Sequence, residues 1–151
     1  MKQYYTFGEY IKLNNLTPSE EDYIEMIYRL QLKDENVKVA KLAKVLNVKT
    51  PSASNMVKRL QSKELLEHES YGELNLTPKG YDIGKFLFVR HNTVSEFLNI
   101  IGVKTNLHEE TEKIEHTLSI ETLNNMMSLV KFFNENKDVL NAYQNYLNLK
   151  K

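Results

Sequence analysis

The stretch Val39-Ala40-Lys41-Leu42-Ala43-Lys44-Val45-Leu46-Asn47-Val48-Lys49-Thr50-Pro51-Ser52-Ala53-Ser54-Asn55-Met56-Val57-Lys58-Arg59-Leu60 holds the pattern on which the fold turns. Its first eight residues have the apolar spacing of a short helix, Asn47-Val48-Lys49 reads as a turn, and a second helix is expected from Pro51 to Lys63. Ala43 is small enough for the two helices to cross closely, and Val48, Ala53, Val57 and Leu60 can close a core beneath them. Next come Leu65-Leu66-Glu67-His68 and Glu73-Leu74-Asn75-Leu76, short runs joined through Ser70-Tyr71-Gly72, as in a β-hairpin. Helix, turn, helix and hairpin in this order describe a winged helix-turn-helix, a module that reads double-stranded DNA.

Outward from this stretch, each of the three prolines follows a threonine: Thr17-Pro18, Thr50-Pro51 and Thr77-Pro78. A threonine oxygen caps free backbone amides and proline suits the first helical turn, so helices are expected to begin near 18, 51 and 78. Glu20 completes a capping box at the first. That helix should run to about residue 32, with Tyr23, Ile27 and Leu30 on its buried stripe and Asp22, Glu25 and Arg29 on a neighbouring one. Beyond Pro78 the chain reads as helical. A long helix over about 78–101 carries Ile83, Phe86, Leu87, Val94, Phe97 and Leu98 and ends at Gly102. Further helices are expected over about 109–117, over 120–133 with Ser119 as cap, and over 137–149. The last sets Val139, Leu140, Tyr143, Tyr146 and Leu147 at helical spacing. So many apolar stripes exceed what one chain can bury, and a homodimer is expected.

The 151 residues, 41% of them hydrophobic, suffice for one core or two small ones sharing an interface. Cysteine is absent, which excludes disulfides and thiolate ligands and is compatible with a reducing cytoplasm, the expected location. The N-terminus lacks the apolar core of a signal peptide, and no segment approaches the roughly 18 apolar residues of a membrane span, so a soluble protein without a membrane partner is expected. Net charge is zero, yet residues 36–63 carry Lys38, Lys41, Lys44, Lys49, Lys58, Arg59 and Lys63 with no acid among them. Conversely, Glu109, Glu110, Glu112 and Glu115 surround a single Lys113. Ordinary solvated faces account for many such runs.

Six side chains carry a more specific chemistry. Asp22 and Glu25 share a helix face, His91 lies in the long helix, and Glu112, Glu115 and His116 form a Glu-x-x-Glu-His run. Taken singly, His91 is an ordinary core histidine and the glutamates ordinary acids near a helix start. Together they make an oxygen and imidazole donor set suited to hard or borderline cations such as Mn²⁺. His68 and His108 fall outside these clusters and read as surface residues. No paired Glu-x-x-His motifs, nucleophile or phosphate loop points to an enzyme.

The chain resembles the DtxR/MntR family of metal-dependent transcriptional repressors, and most closely its short manganese-responsive branch. The likeness runs over about residues 16–133. It rests on Thr17-Pro18-Ser19-Glu20-Glu21-Asp22-Tyr23-Ile24-Glu25, Leu74-Asn75-Leu76-Thr77-Pro78-Lys79-Gly80, Arg90-His91 followed by Phe97-Leu98, and Ile114-Glu115-His116-Thr117-Leu118-Ser119. The resemblance implies a mainly α protein with an N-terminal winged helix-turn-helix domain, residues 1–80, followed by an all-helical dimerisation and metal-binding domain, residues 81–151. It implies Asp22, Glu25, His91, Glu112, Glu115 and His116 as ligands of two Mn²⁺ ions per subunit, Glu25, Glu112 and Glu115 bridging. Fe²⁺, Zn²⁺, Co²⁺ and Cd²⁺ are further ions such a site takes, and no organic cofactor is expected. Iron-responsive members typically place methionine where Asp22 stands and cysteine where Glu112 stands.

For operator DNA, Pro51 and Ser52 are expected against thymine methyls or phosphate and Asn55 against a base edge, with Thr50 in the same contact set. Lys41, Lys49, Lys58 and Arg59 would contact the backbone. Two features depart from the family. Residues 1–15 form an N-terminal extension whose Tyr4, Tyr5, Phe7, Tyr10 and Ile11 suggest an added helix or a dimer contact, and no SH3-like third domain of the longer members is expected. The function expected is a Mn²⁺-activated repressor of manganese uptake genes. An iron-responsive repressor, or a metal-independent winged-helix regulator sensing a small organic ligand, is the alternative.

Overall fold

In the computed structural model of the protein, residues 16–33, 36–68 and 72–150 are described. The aromatic residues of the N-terminal extension and the Ser70-Tyr71 turn lie outside them. The chain divides into two units, one ending at Phe88 and the other beginning at Val89.

In the first unit, α1 (Pro18–Leu32) starts on a reciprocal cap: Glu20 N donates to Thr17 Oγ1 (3.2 Å), and Thr17 N donates to Glu20 Oε2 (2.9 Å). It buries Tyr23, Ile24, Ile27, Tyr28 and Leu30, so the apolar stripe is wider than spacing alone suggested. Helix α2 (Val39–Val45) ends where Asn47 turns left-handed (φ 55°) and Val48 N donates to Ala43 O at 2.9 Å. Helix α3 (Thr50–Ser62) packs against α2 through buried Leu42, Ala43, Ala53, Val57 and Leu60. Two local expectations fail here. Val48 is exposed just beyond the chain reversal at Asn47, whereas Leu65 and Leu66 are buried. Thr50 lies inside α3 rather than before it, and the capping position falls to Lys49, which makes no side-chain cap.

The wing pairs β1 (Leu66–His68) antiparallel with β2 (Leu74–Leu76), in register Leu66 with Leu76 and Glu67 with Asn75. Glu73 bridges to Lys38, and Leu74 N donates to Val37 O at 2.8 Å, tying the wing to the chain before α2. Helix α4 (Pro78–Ile100) is capped by Thr77, whose Oγ1 accepts from Gly80 N (3.0 Å) and donates to Glu64 O (2.8 Å). Gly80 is required by close approach: a Cβ there would lie 2.0 Å from Leu65 O.

In the second unit α4 ends at Ile100 and the chain turns at Gly102, left-handed at φ 103°. Helix α5 (Leu107–Glu115) starts earlier than spacing suggested, after a left-handed Asn106, and leaves His116 as its C-cap. Helix α6 (Ile120–Glu135) is capped by Ser119 Oγ, which accepts from Thr122 N at 3.1 Å; it runs past Phe133 to Glu135, and Nδ2 of the C-cap Asn136 donates to Phe132 O at 2.8 Å. Val94, Leu98, Ile100, Leu123 and Val130 are buried. Helix α7 (Lys137–Leu149) stacks Tyr143 on Phe133 at 5.9 Å but contributes no buried residue. Leu129, Phe132, Val139, Tyr146 and Leu149 remain exposed. Among the described residues, no helix is long and apolar enough to cross a membrane.

Candidate metal centre

In the second unit, α4 and α5 bring four of the six candidate ligands together. His91 Nδ1 lies 2.9 Å from Glu115 Oε2 and 3.5 Å from Glu112 Oε1. His116 Nε2 lies 3.7 Å from Glu115 Oε1, and its Nδ1 is 3.2 Å from Arg90 Nη2. A guanidinium has only N–H donors, so Nδ1 accepts there and a neutral His116 ring carries its proton on Nε2. The acid-rich run is thereby sorted by helical phase. Glu109 and Glu110 face solvent and pair with Lys113 at 2.9 and 3.3 Å, whereas Glu115 is 1% exposed.

His108, which spacing left on the surface, is exposed but belongs to this cluster. Its ring lies 5.7 Å from that of His91, its Nε2 is 3.9 Å from Glu112 Oε1, and His91, His108 and Glu112 each offer a ligand atom within 4.8 Å of the others. The signal was the four-residue step from His108 to Glu112, which places both on one face.

Glu115 Oε1 is buried and makes no hydrogen bond. A carboxylate oxygen in that state is costly unless a cation or donor satisfies it, and the surrounding donors are oxygens and imidazoles without thiolate. The residues therefore fit a hard or borderline divalent cation.

In the first unit, Asp22 and Glu25 lie on one face of α1, Asp22 half-buried and Glu25 buried. Glu25 Oε1 accepts from Arg29 Nη2 at 2.8 Å.

The exposed face of α3 presents Thr50, Pro51, Ser52, Asn55, Lys58 and Arg59, opposite buried Ala53, Val57 and Leu60. Lys49 is exposed at the N-cap, and Lys41 is half-buried on α2. With no side-chain cap at Lys49, the first-turn amides of α3 are suited to an anionic oxygen such as a phosphate. Lys63 Nζ donates to Glu20 Oε2 at 2.8 Å, and the exposed Arg59 has its Nε 4.0 Å from Glu20 Oε1. Burial alone would raise the Glu20 pKa, but the bonds from Lys63 and the Thr17 amide and the two cationic charges outweigh it and hold the carboxyl below its ordinary 4.5.

Family models described as iron dependent repressor, N-terminal DNA binding domain, and iron dependent repressor, metal binding and dimerisation domain, match residues 15–74 and 77–141. The chain is 40% identical over 130 residues to the HTH-type transcriptional regulator MntR of Geobacillus thermodenitrificans (strain NG80-2), covering 85% of this chain and 92% of that one. Its identity to the MntR of Bacillus pumilus (strain SAFR-032) is 42% over 123 residues, covering 81% and 85%. Among solved structures it is similar to the manganese regulator SloR (TM-score 0.64, 32% identity, 75% of this chain) and to the metal-dependent transcriptional regulator MtsR (TM-score 0.70, 27% identity, 78% of this chain). The match spans 55% of each of those two longer chains.

Proposed function

This chain belongs to the iron-dependent repressor family, and on that premise we propose that it is a cytoplasmic, homodimeric transcriptional repressor, activated by Mn²⁺, that acts on manganese uptake genes. The observation that carries the metal half of this reading is the buried Glu115 carboxylate, facing His91 with one oxygen unsatisfied. The ligand set we assign is Asp22, Glu25, His91, Glu112, Glu115 and His116, supported by the match of all six to the family pattern. Two ions per subunit, shared through Glu25, Glu112 and Glu115, follow from the same correspondence. The oxygens of Asp22 and Glu112 favour Mn²⁺ over the softer alternatives, with Fe²⁺, Zn²⁺, Co²⁺ and Cd²⁺ as further ions the set accepts.

The bound cation supplies the positive charge that offsets repulsion among these carboxylates. Glu115 orients His91 through its hydrogen bond, and His116 must release Arg90 to act as a ligand, since the bond to Arg90 occupies one ring nitrogen and leaves the proton on the other. On DNA, Asn55 reads a base edge, Thr50, Pro51 and Ser52 meet methyl groups or phosphate, and Lys41, Lys49, Lys58 and Arg59 track the backbone. Two such modules in a dimer would address half-sites about 34 Å apart. By linkage, operator DNA tightens metal binding by the factor with which metal tightens DNA binding.

Calorimetric titration with Mn²⁺ and a gel shift on DNA upstream of the protein's own gene test the reading. Micromolar or tighter binding is expected, weakened at least about tenfold, or 1.4 kcal/mol, by Glu115→Gln, with a shift that a chelator abolishes. A shift indifferent to chelator would favour a regulator that senses an organic ligand instead.

A further inference from the structure

We propose that Arg29 is an internal competitor of the metal for Glu25, so that this guanidinium helps set the cation concentration at which the protein responds. The inference rests on the reading of Glu25 as a ligand.

Glu25 and Arg29 lie one turn apart on α1, and Arg29 Nη2 donates to Glu25 Oε1 at 2.8 Å. Their side chains are 30% (Arg29) and 11% (Glu25) exposed, so the pair is partly withdrawn from water and is stronger than an ordinary surface pair of the same spacing. The guanidinium carbon stands 5.4 Å from the centroid of the Phe88 ring. Phe88 packs on Tyr28 at 5.6 Å, and Tyr28 meets Tyr81 edge-on at 5.1 Å, so the ring under Arg29 is itself held in place. Arg29 Nε is buried and makes no hydrogen bond. Among the described residues the head group is thus held by the Glu25 carboxylate and the Phe88 face.

A single carboxylate cannot serve a guanidinium and a dication fully at once, since the two positive groups repel each other. In the metal-free protein Arg29 sets a positive charge against the Glu25 carboxylate. When a cation takes Glu25, Arg29 must loosen, and the Phe88 face gives it a place to rest. Arg29 thus stabilises the metal-free protein and opposes uptake, two effects of opposite sign from one side chain.

The test titrates Mn²⁺ alone into the full-length protein and its Arg29→Gln and Arg29→Lys variants, with thermal unfolding of each metal-free form in the same buffer. Arg29→Gln is expected to bind Mn²⁺ about tenfold more tightly, or about 1.4 kcal/mol, while its metal-free form unfolds at a lower temperature. Arg29→Lys keeps the charge and should bind as the unmodified protein does. A merely structural arginine would lose stability and affinity together. Should the amide variant fail to fold, Arg29→Met, of similar length and uncharged, carries the same expectation. Unchanged or weaker Mn²⁺ binding by the charge-removed variant overturns the proposal while leaving Glu25 a ligand. If Glu25→Gln leaves Mn²⁺ affinity intact, or if none of the proteins binds, the ligand reading falls and takes the proposal with it.

Discussion

Glu20 performs two tasks with one carboxylate. It returns a hydrogen bond to the Thr17 amide at the start of α1, and it receives Lys63 from the far end of α3. Because its folded-state pKa lies below the ordinary 4.5, the unfolded chain binds this proton more readily than the folded one. The resulting stability is fully present above pH 4.5 and is lost as pH falls through the depressed folded value. Denaturant unfolding followed from pH 7 down to 3 should show that loss, and Glu20→Gln should remove part of the slope while lowering stability at neutral pH. An identical slope in the variant would show that other acids govern the decline. The capping half of this arrangement was legible in Thr-Pro-Ser-Glu, a local motif. The ion-pair half was not, because Glu20 and Lys63 are brought together only by the packing of α1 against α3. Likewise the hydrogen bond between His91 and Glu115 depends on how α4 meets α5, which spacing along either helix does not encode.

At the scale of elements, boundaries followed the strength of their local signals. Thr17, Thr77 and Ser119 each cap a helix where a hydroxyl precedes an apolar stripe, and those starts were readable. At α5 the capping position is held by Asn106, which is left-handed and makes no side-chain cap, so its start at Leu107 was missed. Thr50 misled because the Thr-Pro pair fits equally well one position inside a helix. Gly80 looked like a common companion of Thr77 and Pro78, but its use is tertiary, since the first turn of α4 lies against Leu65 O. Gly80→Ala should therefore cost about 2–3 kcal/mol in urea unfolding, more than the roughly 0.5–1 kcal/mol by which alanine ordinarily favours a helix interior over glycine. A neutral or stabilising result would mean that the wing shifts freely, and that its register is not fixed by this contact.

For the whole molecule, α6 and α7 leave Leu129, Phe132, Val139, Tyr146 and Leu149 exposed on helices that bury few residues of their own. That surplus was readable as excess apolar spacing near the C-terminus, although the partner surface is not written in one chain. If the surplus is the dimer contact, Phe132→Glu should move the sedimentation coefficient from dimer to monomer at micromolar protein. It should also weaken operator binding at least about a hundredfold, or 2.7 kcal/mol, while intrinsic Mn²⁺ affinity changes little. A variant that stays dimeric would place the contact elsewhere. The bare first turn of α3 also has a consequence for how the protein meets its operator. With no side chain bonded to those amides at Lys49, their hydrogens should exchange quickly with solvent in the unbound protein and slowly once a phosphate oxygen sits over them. Protection of those hydrogens would then report the seating of an already formed turn on the operator.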